Sequence, residues 1–419
     1  MIVKEVKQDG KVVLMVAGQS TLPQTVFNST NVLIGVGLLS LPMGLKYAGW
    51  ICGMIFLALA AWVTAYTAEL LAKCMDVDAS LITFADVAFI SYGQRARVVT
   101  SILFTLELLA ACVALIILFA DTLDLLLPGL GVTWWKILCG LVLAPLTFAP
   151  LSLLSLTSVL GIFSCFSIVL ILIIDGLIKP HAPGSLLEPA ATYLFPANWL
   201  TLPLSFGLLM SPWGGHSVFP NLYRDMRHPQ KFKKAVKVTF SFTYILDCTT
   251  AVVGILMFGE DVRDEITANI VGNSSYPQAM SILVAIFIAI IPLTKLPLNA
   301  RPIVSTLEMF SGISSREASG TSGPADKILK VSIRILVIVL FVVVSIVFPA
   351  FDSIMAFMGS TLCFSICVIF PLMFYLKIFG NEISFREKVL DYFLIAVSSL
   401  LAILGTVWAF LPKSMIGAE

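Results

Sequence analysis

The chain has 419 residues, a net charge of +1, 58% hydrophobic residues and only 12% charged ones, with a mean hydropathy of +0.99. Apolar runs this numerous and this long exceed what one soluble core can bury, which excludes a water-soluble globular domain. The near-neutral charge, with no basic tract beyond short juxtamembrane clusters, argues against a nucleic-acid partner. The expected class is all-α, a polytopic membrane protein.

Residues 1–22 read as a cytosolic segment. They show no apolar region ending in a small-residue cleavage site, so no cleavable signal peptide is expected and the first span itself directs insertion. At ~20 apolar residues per crossing, eleven spans fall near 23–45, 50–72, 98–120, 134–150, 154–178, 199–221, 236–258, 276–309, 329–349, 352–376 and 387–411. The first is interrupted by Ile34-Gly35-Val36-Gly37. An unpaired N–H or C=O in hydrocarbon costs several kcal/mol, so such a break persists only where it lines a cavity or receives a ligand. The two glycines let the backbone leave helical φ/ψ at little steric cost.

Between spans 2 and 3, Leu81 to Arg97 is too polar to cross and suits a cytosolic amphipathic segment or an ordinary loop helix. Glu107 lies near the middle of span 3 and Asp247 midway along span 7, whereas Glu69 and Asp175 read as interfacial. A structural ion pair and a part in proton coupling are both open for Glu107.

Span 6 carries a second break, Ser211-Pro212-Trp213-Gly214-Gly215. Proline removes an amide donor and two glycines permit unwinding. Half-helix ends at such breaks offer free N–H groups to a carboxylate and carbonyls to an ammonium, which together suit a zwitterion. His216 beside this break either titrates near neutral pH or is a satisfied structural residue, and Trp213 either shapes a pocket or packs. In span 8, Lys295 follows Thr294 between Pro292 and Pro297. A lysine at that depth is a functional candidate by default, with snorkelling to the interface as the alternative. Residues 311–326 form an expected flexible linker.

Lysine and arginine concentrate before span 1 and in the loops after spans 2, 6, 8 and 10, while the opposite loops hold Asp121, Asp124, Glu188, Glu260, Asp261, Asp264 and Glu265. By the positive-inside rule the N-terminus is cytosolic and the C-terminus lies across the membrane. The acceptor sequence Asn273-Ser274-Ser275 falls on that far side. The eight cysteines read as small packing residues, and none of the three histidines has metal-ligand spacing. No metal or cofactor is expected. Breaks at spans 1 and 6 suggest two five-helix repeats of opposite orientation, 23–178 and 199–376, with 387–411 as an eleventh span.

The stretch from Thr25 through Asn31, Ile34-Gly35-Val36-Gly37 and Leu41-Pro42 to Gly49-Trp50 resembles the amino acid/auxin permease family, closest to its fungal and plant vacuolar neutral amino acid transporters. Further matches are Glu107-Leu108 with Ile117 to Leu123, Gly215-His216-Ser217-Val218-Phe219-Pro220, and Pro292-Leu293-Thr294-Lys295. The resemblance implies a fold similar to the bacterial leucine transporter and amino acids as substrates. In sodium-coupled relatives an asparagine before Gly-x-Gly and a Thr-Ser pair in span 8 hold the ion. Asn31 is a near match, Thr294 aligns with the threonine, and Lys295 stands where the second hydroxyl would be. An ammonium there would take sodium's place, which points to protons as the coupling ion. Span 6 departs from the relatives, with Ser211-Pro212-Trp213 where they often carry Cys-Tyr, so side-chain selectivity is not carried over.

The resulting expectation is proton-coupled antiport of neutral amino acids across a vacuolar or lysosome-like membrane by alternating access. Asn31, Ile34, Gly35, Val36, Gly37, Ser211, Trp213, Gly214 and Gly215 would bind substrate, and Glu107, Thr294 and Lys295 would couple the ion. The partners are then neutral amino acids, protons and the lipid bilayer, with no nucleic acid and no obligate protein. A nutrient receptor of transporter-like build is the alternative. A membrane enzyme is disfavoured because no nucleophile, base and acid converge.

Overall fold

The computed structural model describes the backbone of residues 3–8, 11–16, 18–149, 151–313, 316 and 323–418, and side chains in 18–149, 159–313, 316 and 323–418. Residues 314–315 and 317–322 of the expected 311–326 linker lie outside the described residues. In chain order the elements are β1 (Val3–Gln8), β2 (Lys11–Val16), α1 (Leu22–Leu33), α2 (Gly37–Met75), α3 (Phe84–Tyr92), α4 (Gln94–Leu126), α5 (Val132–Leu146), α6 (Leu151–Ile178), α7 (Leu202–Met210) and α8 (Phe219–Asp225). There follow α9 (Phe232–Phe258), α10 (Ile266–Val271), α11 (Gln278–Phe310), α12 (Pro324–Val347), α13 (Phe351–Phe379), α14 (Phe385–Phe410) and α15 (Lys413–Ile416).

Among the described residues, eight helices are long and apolar enough to cross a membrane. The difference from the eleven expected spans has three local causes. The expected spans 1 and 2 contribute one such helix, because α1 stops at Leu33 and α2 runs from Gly37 to Met75 with a single non-helical residue, Gly49. Span 6 is divided into α7 and α8, each shorter than a crossing. Span 4 corresponds to α5, which has 15 residues.

The chain forms two compact units, the first comprising residues 1–104, 193–251 and 356–419 and the second 105–192 and 252–355. In the first, β1 and β2 pair antiparallel, Val3 opposite Val16 and Gln8 opposite Lys11, a hairpin absent from the sequence reading of residues 1–22. Thr21 opens α1 with its amide 2.8 Å from Gln24 Oε1, a capping arrangement reinforced by Pro23 in the first turn. Gly49 adopts φ 68°, and a side chain there would overlap the backbone of Phe195. Beyond it Trp50 and Ile51 donate their amides to Tyr193 O (3.1 Å) and Leu194 O (2.9 Å).

The polar segment after α2 holds α3 and the first residues of α4; at the start of α3 Thr83 and Asp86 cap each other (2.9 and 3.2 Å), and its apolar face buries Phe84, Val87 and Ala88. Gly93 at φ 79° ends it. In α14, Asp391 is fully buried and accepts a 2.9 Å hydrogen bond from Tyr66 of α2. Its Oδ2 is buried with no hydrogen-bond partner.

In the second unit α6 packs along α11. Gly161 permits this approach, since a Cβ there would lie 2.8 Å from Thr294 Oγ1 and 3.5 Å from Lys295 Cε. Asp175, near the C-terminal end of α6, is fully buried by protein, and neither carboxylate oxygen has a hydrogen-bond partner. The cause is the following loop, which folds back: Leu186 donates to Gly176 O (2.7 Å) and Tyr276 to Gly184 O (2.7 Å). All eight cysteines are free thiols, six of them buried.

Candidate functional site

The first break has simple local chemistry. Helix α1 closes at Ile34, whose amide still reaches Thr30 O (2.8 Å) but whose ψ of 110° turns the chain out of the helix. Three residues later α2 begins behind Val36. Ile34 and Val36 are 2% and 6% exposed, so the unwound stretch is shielded by protein, as a mid-membrane break must be. Gly35 has open space around its Cα. None of the break glycines 35, 37, 214 and 215 is among those with positive φ. The expected steric freedom of φ is therefore not what these glycines supply.

The second break is sharper. Helix α7 ends at Met210, Ser211–Trp213 forms one 3-10 turn, and Gly214 leaves it at ψ 93° before α8 starts at Phe219. Ser211 Oγ donates back to Leu208 O (2.9 Å). Trp213 is fully buried and stacks on Phe240 of α9 at 5.7 Å. Its indole nitrogen is buried with no hydrogen-bond partner.

Both breaks belong to the first unit, and they meet. A Cβ on Gly37 would lie 3.0 Å from Pro212 N and 3.1 Å from Ser211 Oγ, and one on Gly215 would lie 2.9 Å from Leu33 Cδ2. Gly37 and Gly215 are thus required by close approach, each break receiving the other. Behind them α13 contributes a π-helical stretch, Met358–Ile369, in which Gly359 packs directly on Gly207 of α7. Wide turns of this kind recur at functional sites. No feature of the sequence reading signalled it.

His216 follows the second break and is fully buried. Its Nε2 lies 3.0 Å from Thr64 O and 3.0 Å from Thr67 Oγ1. A carbonyl only accepts, so Nε2 carries the hydrogen. The Thr67 hydroxyl in turn donates to Cys367 O (2.6 Å). The ring is half satisfied, because Nδ1 is buried without a partner.

Beyond the helices, the segment preceding α1 is tied to the segment following α8. Ser20 donates its amide to Asp225 O (2.8 Å), Arg227 donates to Ser20 O (3.0 Å), and the Ser20 hydroxyl bonds the Asp225 carboxylate. Ser20 and Met226 form a parallel β-bridge.

Of the expected site residues, Asn31, Ile34, Gly35, Val36, Gly37, Ser211, Trp213, Gly214 and Gly215 fall in the first unit, and Glu107, Thr294 and Lys295 in the second. Glu107 is 8% exposed and Thr294 4%. The Thr294 hydroxyl donates to Ile291 O within α11 (2.9 Å). Thr64, Thr67 and Gly161 escaped the sequence reading, since a threonine or glycine within an apolar run carries no mark of what it faces.

An apolar polytopic chain with two helices broken at mid-course and packed break to break defines a secondary-transporter architecture. Comparison with solved structures agrees. The inward-facing conformation of Mhp1 aligns with a TM-score of 0.61 at 13% identity, covering 96% of this chain and 90% of that one. MhsT in complex with L-phenylalanine aligns at 0.55 and 12% identity, covering 94% and 100%. Identities this low speak for the fold alone.

Residues 18–411 match the family described as transmembrane amino acid transporter protein. The chain is 31% identical to amino acid transporter AVT1D of Arabidopsis thaliana over 91% of its own length and 68% of that protein. It is 29% identical to AVT1I of the same plant, covering 96% of each, and 26% identical to the vesicular GABA transporter of Caenorhabditis elegans, covering 96% and 81%. The chain belongs to the transmembrane amino acid transporter family, a family of transporters and not of enzymes, as the sequence motifs implied.

Proposed function

We propose that this chain is a proton-coupled antiporter of neutral amino acids in a vacuolar or lysosome-like membrane, working by alternating access. The observation that carries the reading is the meeting of the two breaks at Gly37 and Pro212, which brings unwound main chain from α1–α2 and α7–α8 to one place in the first unit. Main-chain N–H groups there suit a carboxylate and carbonyls suit an ammonium, so a zwitterion satisfies both. Asn31, Ile34, Gly35, Val36, Gly37, Ser211, Trp213, Gly214 and Gly215 line this site in the proposal. Lys295 takes the place of a coupling metal cation, beside Thr294, and with Glu107 sets the proton dependence. Residues 23–178 and 199–376 act as inverted repeats, with 387–411 added, and the N-terminus faces the cytosol.

The energetics are sufficient. Each pH unit supplies about 1.4 kcal/mol per proton, and tenfold accumulation requires about the same. One proton across two pH units therefore sustains roughly hundredfold accumulation.

The test is reconstitution of the purified protein in liposomes carrying a pH dye, with counterflow of labelled neutral amino acids after an imposed pH jump. Uptake should follow the proton gradient and dissipate it. Flux that follows a sodium gradient and ignores pH overturns the coupling, and flux of basic or acidic amino acids alone overturns the substrate class.

A further inference from the structure

Where α2 ends and α9 begins, the first unit holds a cavity of about 350 Å3, within the range of small-molecule sites, about 300–1,000 Å3. Both acids that line it are already engaged. Glu69 pairs with Lys233 at 2.8 Å, and Asp76 accepts from the Tyr223 hydroxyl. Burial, and then the hydrogen bond to Asp76, hold the Tyr223 phenol above its usual range, so that proton stays on tyrosine. Arg224 is also committed, donating to Leu81 O and Asp78 O at 2.6 Å each and to Met75 O.

What is left over is positive. Lys73 lines the cavity, with the Tyr375 hydroxyl at 3.4 Å, the Tyr375 ring near its ammonium and the Asp391 carboxylate acting on it through space. Close in sequence to the lining residues Gln230, Phe232 and Lys233, Lys231, Lys234 and Lys237 are exposed and, among the described residues, without an acidic partner. Lys233 has Glu69 as its counter-charge, but Lys231, Lys234 and Lys237 lie within seven positions of one another and repel unless an anion is supplied.

The face of α9 that carries Lys234, about 100° round from Lys233, shows where that anion comes from. At about 100° per residue, Lys234 shares a face with Val238, Phe242 and Ile245, which are 46%, 45% and 65% exposed. A stripe of exposed apolar side chains on a helix long and apolar enough to cross a bilayer is covered by acyl chains. A basic cluster at the end of such a stripe is the pattern that retains anionic lipids.

We infer that the cavity bounded by Lys73 and Lys233, with Lys231, Lys234 and Lys237 on its rim, binds the phosphorylated headgroup of an anionic phospholipid of the phosphoinositide class. The acyl chains lie along Val238, Phe242 and Ile245. This rests on the chain's lying in a bilayer and not on what it transports, so it stands or falls apart from the proposed antiport.

The experiment uses the purified full chain and three probes: short-chain phosphatidylinositol bisphosphate, short-chain phosphatidylcholine and soluble inositol trisphosphate. The variant Lys234→Gln/Lys237→Gln changes exposed, unpartnered side chains, and Arg386→Gln/Lys388→Gln removes equal charge elsewhere. The wild type should bind the phosphoinositide and not the phosphatidylcholine. The first variant should bind it roughly twentyfold to thirtyfold more weakly, about a factor of five per lysine, and the second should match wild type. Equal weakening in both variants, or none in the first, overturns the site. Trisphosphate binding as tightly as the lipid overturns the lipid as occupant in favour of a free polyanion.

Discussion

Gly37 and Pro212 lie so close that a single added carbon on Gly37 would stand 3.0 Å from the proline nitrogen. The partner is backbone and cannot swing aside. Overpacking of this kind costs about 1–3 kcal/mol, so Gly37→Ala should lower amino acid counterflow roughly tenfold while insertion and yield are kept. Gly35→Ala, with open space around it, should transport near the wild-type rate. Equal loss in both would show that space is not what Gly37 provides.

Lys295→Ala separates coupling from transport. Exchange of amino acids with no pH gradient should persist, while acceleration by an imposed gradient should disappear. Retention of the wild-type pH dependence would remove Lys295 from the coupling mechanism.

Glu265, the residue immediately before α10, is 3% exposed, and neither of its carboxylate oxygens has a hydrogen-bond partner. Burial first, then the charges of Asp121 and Asp264, raise its carboxyl well above the ordinary value. A raised value in the fold means that stability is fully present below the free carboxyl's value of about 4.3 and is lost as pH rises through the folded one. The melting temperature in detergent should therefore fall as pH increases above that range. Glu265→Gln should flatten the fall, and an unchanged slope in that variant would assign it to other groups.

Tyr66→Phe removes a hydrogen bond from Asp391 and leaves that acid buried beside α2. The expected cost is about 1–3 kcal/mol in thermal unfolding. Tyr66→Phe/Asp391→Leu should recover most of it, because replacing both partners leaves no polar group stranded. A double variant less stable than the single would show that Asp391 has a further role.

Much of the layout is readable from local chemistry. Proline and glycine inside apolar runs mark both breaks, and Thr83 with Asp86 marks the start of α3, because each acts on its own backbone. The pairing of β1 with β2 also leaves a local trace in the sequence, an Asp9-Gly10 pair between runs rich in valine. What escapes is pairing at long separation. Tyr66 and Asp391 are 325 positions apart, and nothing around either names the other. The same holds for Gly161, needed only because α11 lies against it, and for Asp175, buried by a loop that returns over it. Within the candidate site the breaks were legible. That Gly37, and not Gly35, is the glycine pressed against the second break required seeing the two together.

The strap at Ser20 has a mechanical consequence. Its main-chain hydrogen bonds to Asp225 and Arg227 join the lead-in to α1 with the tail of α8, so these half-helices cannot part without breaking a short stretch of sheet. Any tilt of α1 about the flexure at Ile34 drags α8 about its own flexure at Gly214. Two hinges yoked in this way swing as one lever.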